Sequence, residues 1–151
     1  MSLYSGRQII VKDIRANETN PGLESYEVDL IKLIEKITNG TEVNINKTGT
    51  RLIMKPGIID SADGAPIEHN CDLKRSITYY LECLVMIGIF GKSTLNLILH
   101  GNTDDSIDQS VDSFKSCMLY LLNQFGASNT LNIQVKKRGY SPLGGGMVKL
   151  T

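Results

Sequence analysis

Hydrophobic positions along the chain follow two alternating spacings, which predict strands interleaved with helices. Residues 7–14 are rich in β-branched side chains and predict a strand. Residues 21–23, Pro-Gly-Leu, then open a predicted helix whose apolar positions recur every three or four residues. The apolar face of this helix contains Leu23, Tyr26, Leu30, Leu33, Ile34 and Ile37.

Turn-forming residues divide the segment that follows this helix. Asn39 and Gly40 predict its end, because both residue types tolerate the left-handed backbone conformation. Residues 42–46 and 51–55 then predict two strands, joined by a hairpin-like turn at residues 47–49. Pro56 and Gly57 end a first unit that is ordered strand, helix, strand, strand.

The central part of the chain is more apolar. Residues 58–66 predict a loop, and residues 67–70 predict a short strand. Residues 76–90 are almost wholly apolar and predict a buried helix, although a pair of strands could carry the same residues. Glu82 lies within this run, where a buried carboxylate must be paired, protonated or turned towards a cleft.

The first pattern then returns. Residues 94–100 predict a strand, residues 102–108 a polar loop, and residues 110–125 a helix that ends before Gly126. Residues 131–137 and 147–150 predict the two paired strands of this second copy. The apolar face of the second helix contains Val111, Phe114, Met118, Leu121, Leu122 and Phe125.

The two copies predict an α+β fold of repeated β-α-β-α-β-β units, with sheets packed against helices. Residues 1–57 form a partial first repeat, and residues 58–151 form a complete second repeat. The first copy lacks the leading strand and helix, and the opening MSLYSG resembles the end of a helix. Repeats bury their apolar faces against one another, so an incomplete one predicts exposed apolar surface and a possible homo-oligomer.

Composition and charge narrow the possible functions only slightly. Sixteen basic residues balance sixteen acidic ones among 151, so net charge predicts no attraction to nucleic acid or membrane. The opening residues, MSLYSGRQ, contain no apolar run long enough for a signal peptide or a membrane span. Three cysteines without CxxC spacing, and only His69 and His100 as histidines, predict reduced thiols and no metal site.

A glycine run beside basic residues is the main candidate for binding chemistry. Gly144, Gly145 and Gly146 follow a basic stretch formed by Lys136, Lys137 and Arg138. Glycines let backbone amides approach a phosphate, and neighbouring cations favour its binding. Local physics favours the alternative, a tight turn into the last strand, and the sequence after the glycines excludes a P-loop. Arg15 and Lys55 also lie at strand ends that an anion could reach.

Several short motifs occur together in an order that resembles a known family. They are Ile14-Arg15, Asn20-Pro21-Gly22-Leu23, Thr48-Gly49-Thr50, Lys55-Pro56-Gly57, Tyr79-Tyr80-Leu81-Glu82, Lys137-Arg138-Gly139 and Pro142-Leu143-Gly144-Gly145-Gly146. Their combination is similar to the RNA 3′-terminal phosphate cyclase superfamily, most closely its eukaryotic cyclase-like branch. The resemblance implies β-α-β-α-β-β repeats, and it implies that the inserted small domain and the C-terminal repeat are absent from this chain.

Departures from the cyclase pattern bear on catalysis. Glu82 stands where cyclases carry a nucleotide-contacting Gln, and Leu143 stands where they carry Arg before the glycine triplet. Both changes remove hydrogen-bond donors that ATP or RNA phosphates would need. The adenylylated histidine of cyclases belongs to the C-terminal part. The resemblance therefore implies a chain with no catalytic residue, no cofactor and no metal, in which Glu82 and Leu143 mark a degenerate nucleotide site.

The resemblance implies a non-catalytic factor in small-subunit ribosome biogenesis, acting in pre-rRNA processing in the nucleus and nucleolus. It implies a large nucleolar GTPase and the pre-ribosomal particle as partners, with pre-rRNA contact possible and no membrane. The residues hypothesised to contact RNA are Arg15, Lys55, Lys136, Lys137, Arg138, Gly144, Gly145 and Gly146. The alternatives are an ATP-dependent RNA 3′-terminal phosphate cyclase or an RNA-cleaving enzyme of the same superfamily, inactive as this fragment, and a truncated reading frame without independent function.

Overall fold

The computed structural model describes residues 2–59, 65–91, 94–126 and 131–151, and the predicted loop at residues 58–66 lies partly outside them. The chain forms two compact units, residues 1–60 and residues 61–151. The first unit contains α1 (Ser2–Ser5), β1 (Ile9–Val11), α2 (Ser25–Lys36), β2 (Thr38–Asn39), β3 (Glu42–Ile45), β4 (Leu52–Lys55) and β5 (Ile58–Ile59). The second contains β6 (Ile67–Asn70), α3 (Ile77–Ile89), β7 (Leu97–Gly101), α4 (Val111–Gln124), β8 (Ile133–Lys137) and β9 (Gly146–Leu150). This mixture of helices and sheets confirms the predicted α+β class.

The first unit is an antiparallel sheet in the order β1-β4-β3, with α2 beside it and a short β2–β5 ribbon. Its core contains Leu33, Ile34, Ile37, Leu52 and Met54, all buried. The predicted end of α2 at Asn39 and Gly40 is wrong, because the helix ends at Lys36 and the chain enters β2. Thr38 makes this early exit possible, since its hydroxyl donates a hydrogen bond of 2.7 Å to the Ile34 carbonyl.

The second unit contains a sheet in the order β6-β7-β9-β8, in which β6 and β7 are parallel and the other pairs are antiparallel. Helices α3 and α4 contact each other, and they also contact β7 and β8 respectively. The buried sheet positions alternate along the strands, as a sheet covered on one face requires. They are Leu97, Leu99, Ile133, Val148 and Leu150. This element order confirms the predicted β-α-β-α-β-β sequence of elements.

The two units share one arrangement of strands. In the second unit β9 lies between β7 and β8, and in the first unit β4 lies between β1 and β3. β1 therefore corresponds to β7, which on its other side pairs with β6. Among the described residues of the first unit, no strand pairs with the corresponding side of β1.

Two predictions of burial are wrong. Glu82 is exposed on α3, so its carboxylate remains in water and needs no internal partner. Met86 and Phe90, which follow Glu82 at intervals of four residues, are also exposed. Residues four apart lie on the same side of a helix, so these three residues mark the side of α3 that faces away from the sheet. On α4, Leu121 and Phe125 are exposed, Phe125 by 84%, whereas Val111, Phe114 and Leu122 are buried as predicted.

Candidate functional site

The glycine-rich loop joins β8 to β9 and is fixed to the end of β7. Thr103, which directly follows the buried Asn102, donates a backbone hydrogen bond of 2.8 Å to the Gly139 carbonyl. The Gly139 amide in turn donates to the Thr103 hydroxyl oxygen at 3.2 Å. Because Thr103 is itself buried, these bonds form in a region with little competition from water. The loop is therefore held in one position relative to the sheet.

Close packing accounts for most glycines of this loop. A Cβ atom at Gly139 would lie 2.1 Å from the Gly146 nitrogen, and one at Gly146 would lie 2.7 Å from the Gly101 carbonyl oxygen. Gly144 has a positive φ of 68°, and its Cβ would lie 2.7 Å from the Leu73 side chain. Gly145 adjoins open space. These contacts support the interpretation as a tight turn, and contact between the glycine amides and RNA stays a prediction.

The basic stretch lies at the end of β8, beside a β-bulge. The register shifts between Val135 and Lys137, so Lys136 has no partner opposite it on β9. Lys136 and Lys137 are both exposed. No carboxylate of the described residues lies within ion-pair distance of either ammonium group. The charges of both lysines therefore remain available to an anion in solution.

Arg138, the third residue of the basic stretch, is paired. Its Nη1 donates to Oδ2 of Asp112, in the first turn of α4, at 2.5 Å. The hydrogen bond to Asp112 raises the pKa of Arg138, and the same bond lowers the pKa of Asp112. The Arg138 side chain is 57% exposed and the Asp112 side chain is 50% exposed, so water screens the attraction between their charges strongly. Arg138 shares its charge with Asp112 and adds less to a phosphate-binding surface than the two lysines do.

In the first unit, the Arg15 guanidinium is occupied by its own neighbours. It donates to the Gly22 carbonyl at 2.7 Å and to both Glu27 carboxylate oxygens, at 2.7 and 2.5 Å. Glu27 also accepts the Glu24 amide at 2.8 Å, at the beginning of α2. The hydrogen bonds to Glu27 raise the pKa of Arg15. Arg15 thus connects its loop to the beginning of α2, and few of its donors face outwards.

Lys55 lies at the opposite end of the same sheet. The Arg15 loop meets the start of β4, where the Ile14 amide donates to the Thr50 carbonyl, whereas Lys55 ends β4. Five residues of extended chain separate Thr50 from Lys55 by roughly 15 Å. Lys55 contacts Glu42 at 3.4 Å, and both side chains are well exposed. The structure therefore does not bring Arg15 and Lys55 into one site.

Glu82 and Leu143, the two positions of the second unit that depart from the cyclase pattern, provide no side-chain hydrogen-bond donor for a phosphate. Leu143 is 90% exposed at the tip of the glycine-rich loop. Glu82 lies on α3, about 9 Å along the helix axis from its N-cap Ser76. Among the described ranges, no three His, Cys, Asp or Glu side chains converge as metal ligands. No helix in these ranges is long and apolar enough to cross a membrane.

An open hollow of about 510 Å³ lies beside the loop, and sequence reasoning missed it. Its lining consists of Asp104, Asp105, Ser106, Tyr140 and Ser141. One oxygen of Asp105 accepts the Ile107 and Asp108 amides at 2.9 and 2.7 Å, which fixes the carboxylate. The two acidic residues of the lining oppose the binding of phosphate in this hollow. The polar run at residues 102–108 was the only sequence signal, and it predicted only a loop.

Comparison with known proteins agrees with these motifs. The model of the family described as RNA 3′-terminal phosphate cyclase matches residues 1–151. The chain belongs to this family. This match confirms the resemblance to the superfamily, and relatives named as cyclase-like proteins agree with the cyclase-like branch.

The relatives of this cyclase-family chain are much longer than it is. A probable RNA 3′-terminal phosphate cyclase-like protein of Arabidopsis thaliana is 45% identical over 100% of the chain and 40% of its own length. An RNA 3′-terminal phosphate cyclase-like protein of Homo sapiens is 42% identical over 98% of the chain and 39% of its own length. An rRNA processing protein of Saccharomyces cerevisiae is 33% identical over 99% of the chain and 40% of its own length. The chain thus spans about two fifths of these relatives.

A second ion pair of this cyclase-family chain, between Arg75 and Asp108, stabilises the beginning of α3 in the second unit. Arg75 donates from Nε to Oδ2 of Asp108 at 2.8 Å and from Nη2 to Oδ1 at 2.5 Å. The Asp108 Oδ2 also accepts the Ser76 amide at 3.0 Å, at the beginning of α3. The hydrogen bond from Arg75 lowers the pKa of Asp108. Arg75 stacks over the Tyr79 ring at 4.4 Å, so the pair is held by packing as well as charge.

Proposed function

We propose that this chain acts, within its whole protein, as a non-catalytic factor in small-subunit ribosome biogenesis. The observation that carries the proposal is its 33% identity to an rRNA processing protein over 99% of the chain. The cyclase-like names of the other relatives support the same proposal. Pre-rRNA processing of this kind implies residence in the nucleus and nucleolus.

RNA contact is assigned to the exposed lysines at the end of β8. Lys136 and Lys137 are adjacent, exposed and without a carboxylate partner in the described ranges. Arg138 extends the surface but shares its charge with Asp112. Because the chain has no net charge, binding depends on this local patch and therefore weakens with salt. Arg15 and Lys55 stay in the proposal as separate contacts of the first unit.

Charge reversal of both lysines is expected to weaken RNA binding. Lys136→Glu combined with Lys137→Glu should lower affinity for single-stranded RNA and reduce its salt slope by about two, because two phosphate contacts are lost. Fluorescence anisotropy over a salt series measures both quantities.

The matched control is Lys32→Glu with Lys36→Glu, which makes the same charge change at exposed lysines of α2. RNA affinity should stay near wild type in this control. An unchanged salt slope in the Lys136 and Lys137 variant, or equal losses in both variants, would reject the assignment.

We propose that the protein is not catalytic because of the side chains at Glu82 and Leu143, the two positions that depart from the cyclase pattern. Glu82 adds negative charge where a nucleotide would need a donor, and exposed Leu143 offers only an alkyl chain. We expect neither this chain nor its whole protein to form a covalent AMP adduct with ATP, or a cyclic end on 3′-phosphate RNA. Radiolabelled ATP and end-labelled RNA measure the two products, with an active cyclase as the positive control. Either product would favour the alternative, an RNA-end-modifying enzyme of the same family.

The partners in the proposal are a large nucleolar GTPase and the pre-ribosomal particle, which follow from the family resemblance. The exposed apolar residues on α3 and α4 are compatible with protein contact, but no single surface is assigned to the GTPase. RNA cleavage by the whole protein is the second enzymatic alternative, and no arrangement among the described side chains favours it.

A further inference from the structure

The ion pair between Arg138 and Asp112 places a carboxylate at the edge of the surface assigned to RNA. Arg138 directly follows Lys136 and Lys137 and is exposed like them. Its Nη1 donates to Oδ2 of Asp112 at 2.5 Å, and its Nη2 donates to Oδ1 at 3.3 Å. A guanidinium binds phosphate through the same two-point geometry. Asp112 therefore occupies the donors that an RNA phosphate would use.

This ion pair is weak enough for a phosphate to replace the carboxylate. Both side chains are at least half exposed, and water screens the attraction in ion pairs of this kind. A phosphate accepts the same two hydrogen bonds from Arg138, so the exchange leaves the guanidinium donors satisfied. Binding of the phosphate also releases the counterions that surround RNA, which adds a gain that the carboxylate cannot provide.

The Asp112 carboxylate keeps favourable neighbours when Arg138 leaves it. Asp112 lies in the first turn of α4, where the helix dipole stabilises a negative charge. Lys115 follows three residues later, a spacing that brings side chains together on a helix. The hydrogen bond from Arg138 is the main cause of the lowered pKa of Asp112, and the charge of Lys115 also contributes. Lys115 and the helix dipole therefore reduce the cost of separating the pair.

We propose that Asp112 is an autoinhibitory carboxylate, which an RNA phosphate displaces from Arg138. The proposal rests on the RNA contact assigned to Lys136 and Lys137 under the proposed function. When RNA binds these lysines, one phosphate accepts both hydrogen bonds of Arg138, and the Asp112 carboxylate turns to Lys115. Arg138 is thus a third RNA contact, which the free protein keeps covered.

Asp104 provides a matched control for this exchange. It is the other carboxylate whose charge raises the pKa of Arg138, an effect smaller than that of the hydrogen bond from Arg138 to Asp112. Both hydrogen bonds that the Arg138 guanidinium donates to a described carboxylate go to Asp112. Asp104→Asn therefore removes the same charge as Asp112→Asn and leaves these hydrogen bonds in place. The two variants separate the exchange from a general change in charge.

A double-mutant cycle with Arg138→Gln tests the exchange. Asp112→Asn should raise the affinity for single-stranded RNA about fivefold and its salt slope by about one, because Arg138 is then available without an exchange. In the Arg138→Gln background, Asp112→Asn should raise affinity only about twofold, since removal of a negative charge is then its sole effect. Asp104→Asn should also raise affinity about twofold at most, with or without Arg138. Fluorescence anisotropy over a salt series measures all of these variants.

The carboxyl carbon signal of Asp112 in an NMR titration reports the exchange directly. It should shift when wild-type protein binds RNA, because the hydrogen bonds from Arg138 are lost. The exchange is overturned if this signal stays unchanged, if Asp112→Asn gains equally in both backgrounds, or if Asp104→Asn gains as much as Asp112→Asn. If Lys136→Glu with Lys137→Glu leaves RNA affinity unchanged, the proposed RNA contact itself fails, and the exchange fails with it. Loss of affinity in that variant without coupling between Asp112 and Arg138 rejects the exchange alone.

Discussion

Replacing Gly139 with Ala is expected to destabilise the second unit by about 3 kcal/mol, the largest effect of any single substitution proposed for this protein. The new Cβ would lie 2.1 Å from the Gly146 nitrogen and 2.5 Å from the Gly144 carbonyl oxygen, and both are backbone atoms that cannot rotate away. To relieve these close contacts, the loop would have to move away from Thr103. The hydrogen bonds between Thr103 and Gly139, which hold the loop near the end of β7, would then be lost.

Gly145→Asn is the matched control within the same loop. Gly145 has φ +85° with open space around its Cβ position, and Asn tolerates this region better than other side chains. We expect a loss below about 1 kcal/mol in this variant. Urea unfolding followed by hydrogen exchange at β7 and β9 measures the second unit separately. Near-wild-type stability of Gly139→Ala would show that the loop tolerates displacement and that close packing does not explain its glycines.

This result also bears on how the loop should be interpreted. If Gly139 and Gly146 serve packing, their substitution lowers RNA binding only through loss of structure. Lysine variants at the end of β8 have less of this ambiguity, because the Lys136 and Lys137 side chains are exposed and form no ion pair with a described residue. The lysines, rather than the glycines, are therefore the appropriate test of RNA contact.

Local sequence signals predicted the longer elements because each is long enough to show a period. The prediction of residues 67–70 as a strand matches β6, and those of residues 76–90 and 110–125 contain α3 and α4. The two-residue strands β2 and β5 were missed. Two residues show no periodicity, and these strands exist only through their pairing with each other.

The extent of burial could not be predicted from amphipathic spacing alone. The spacing on α4 placed Leu121 and Phe125 with Phe114 and Leu122, but how much of that face is covered depends on neighbouring elements. In the first unit, the corresponding end of α2 contacts the short strand β2, and Leu33 and Ile37 are fully buried. The environment of a helix end is thus a tertiary property.

The site contacts that sequence reasoning missed join residues far apart in the chain. Arg138 and Asp112 are 26 residues apart, Thr103 and Gly139 are 36 apart, and Arg75 and Asp108 are 33 apart. Charged residues at strand ends suggested anion binding, since solvated ends can accept anions. The fold instead gives Arg15 and Arg138 carboxylate partners, which no local pattern could identify.

Asp108→Asn is expected to cost the second unit about 2 kcal/mol at neutral pH, because three charge-assisted hydrogen bonds become weaker. The Asp108 side chain is 11% exposed, and it accepts from Arg75 twice and from the Ser76 amide once. Asp112→Asn is the control, since the Asp112–Arg138 pair is about half exposed and should cost only about 0.5 kcal/mol. Chemical unfolding at several pH values measures both variants.

The pH dependence of this stability difference has a definite sign. Arg75 lowers the pKa of Asp108 below its ordinary value of 3.8, so the folded state holds the carboxylate ionised more strongly than the unfolded state does. The stabilisation is therefore complete above pH 3.8 and disappears as the pH falls through the lowered pKa of the folded state. The difference between wild type and Asp108→Asn should stay constant near neutrality and narrow only in acid. A difference that narrows between pH 8 and about pH 6 would instead implicate a group that titrates near neutrality and would contradict the role given to Asp108.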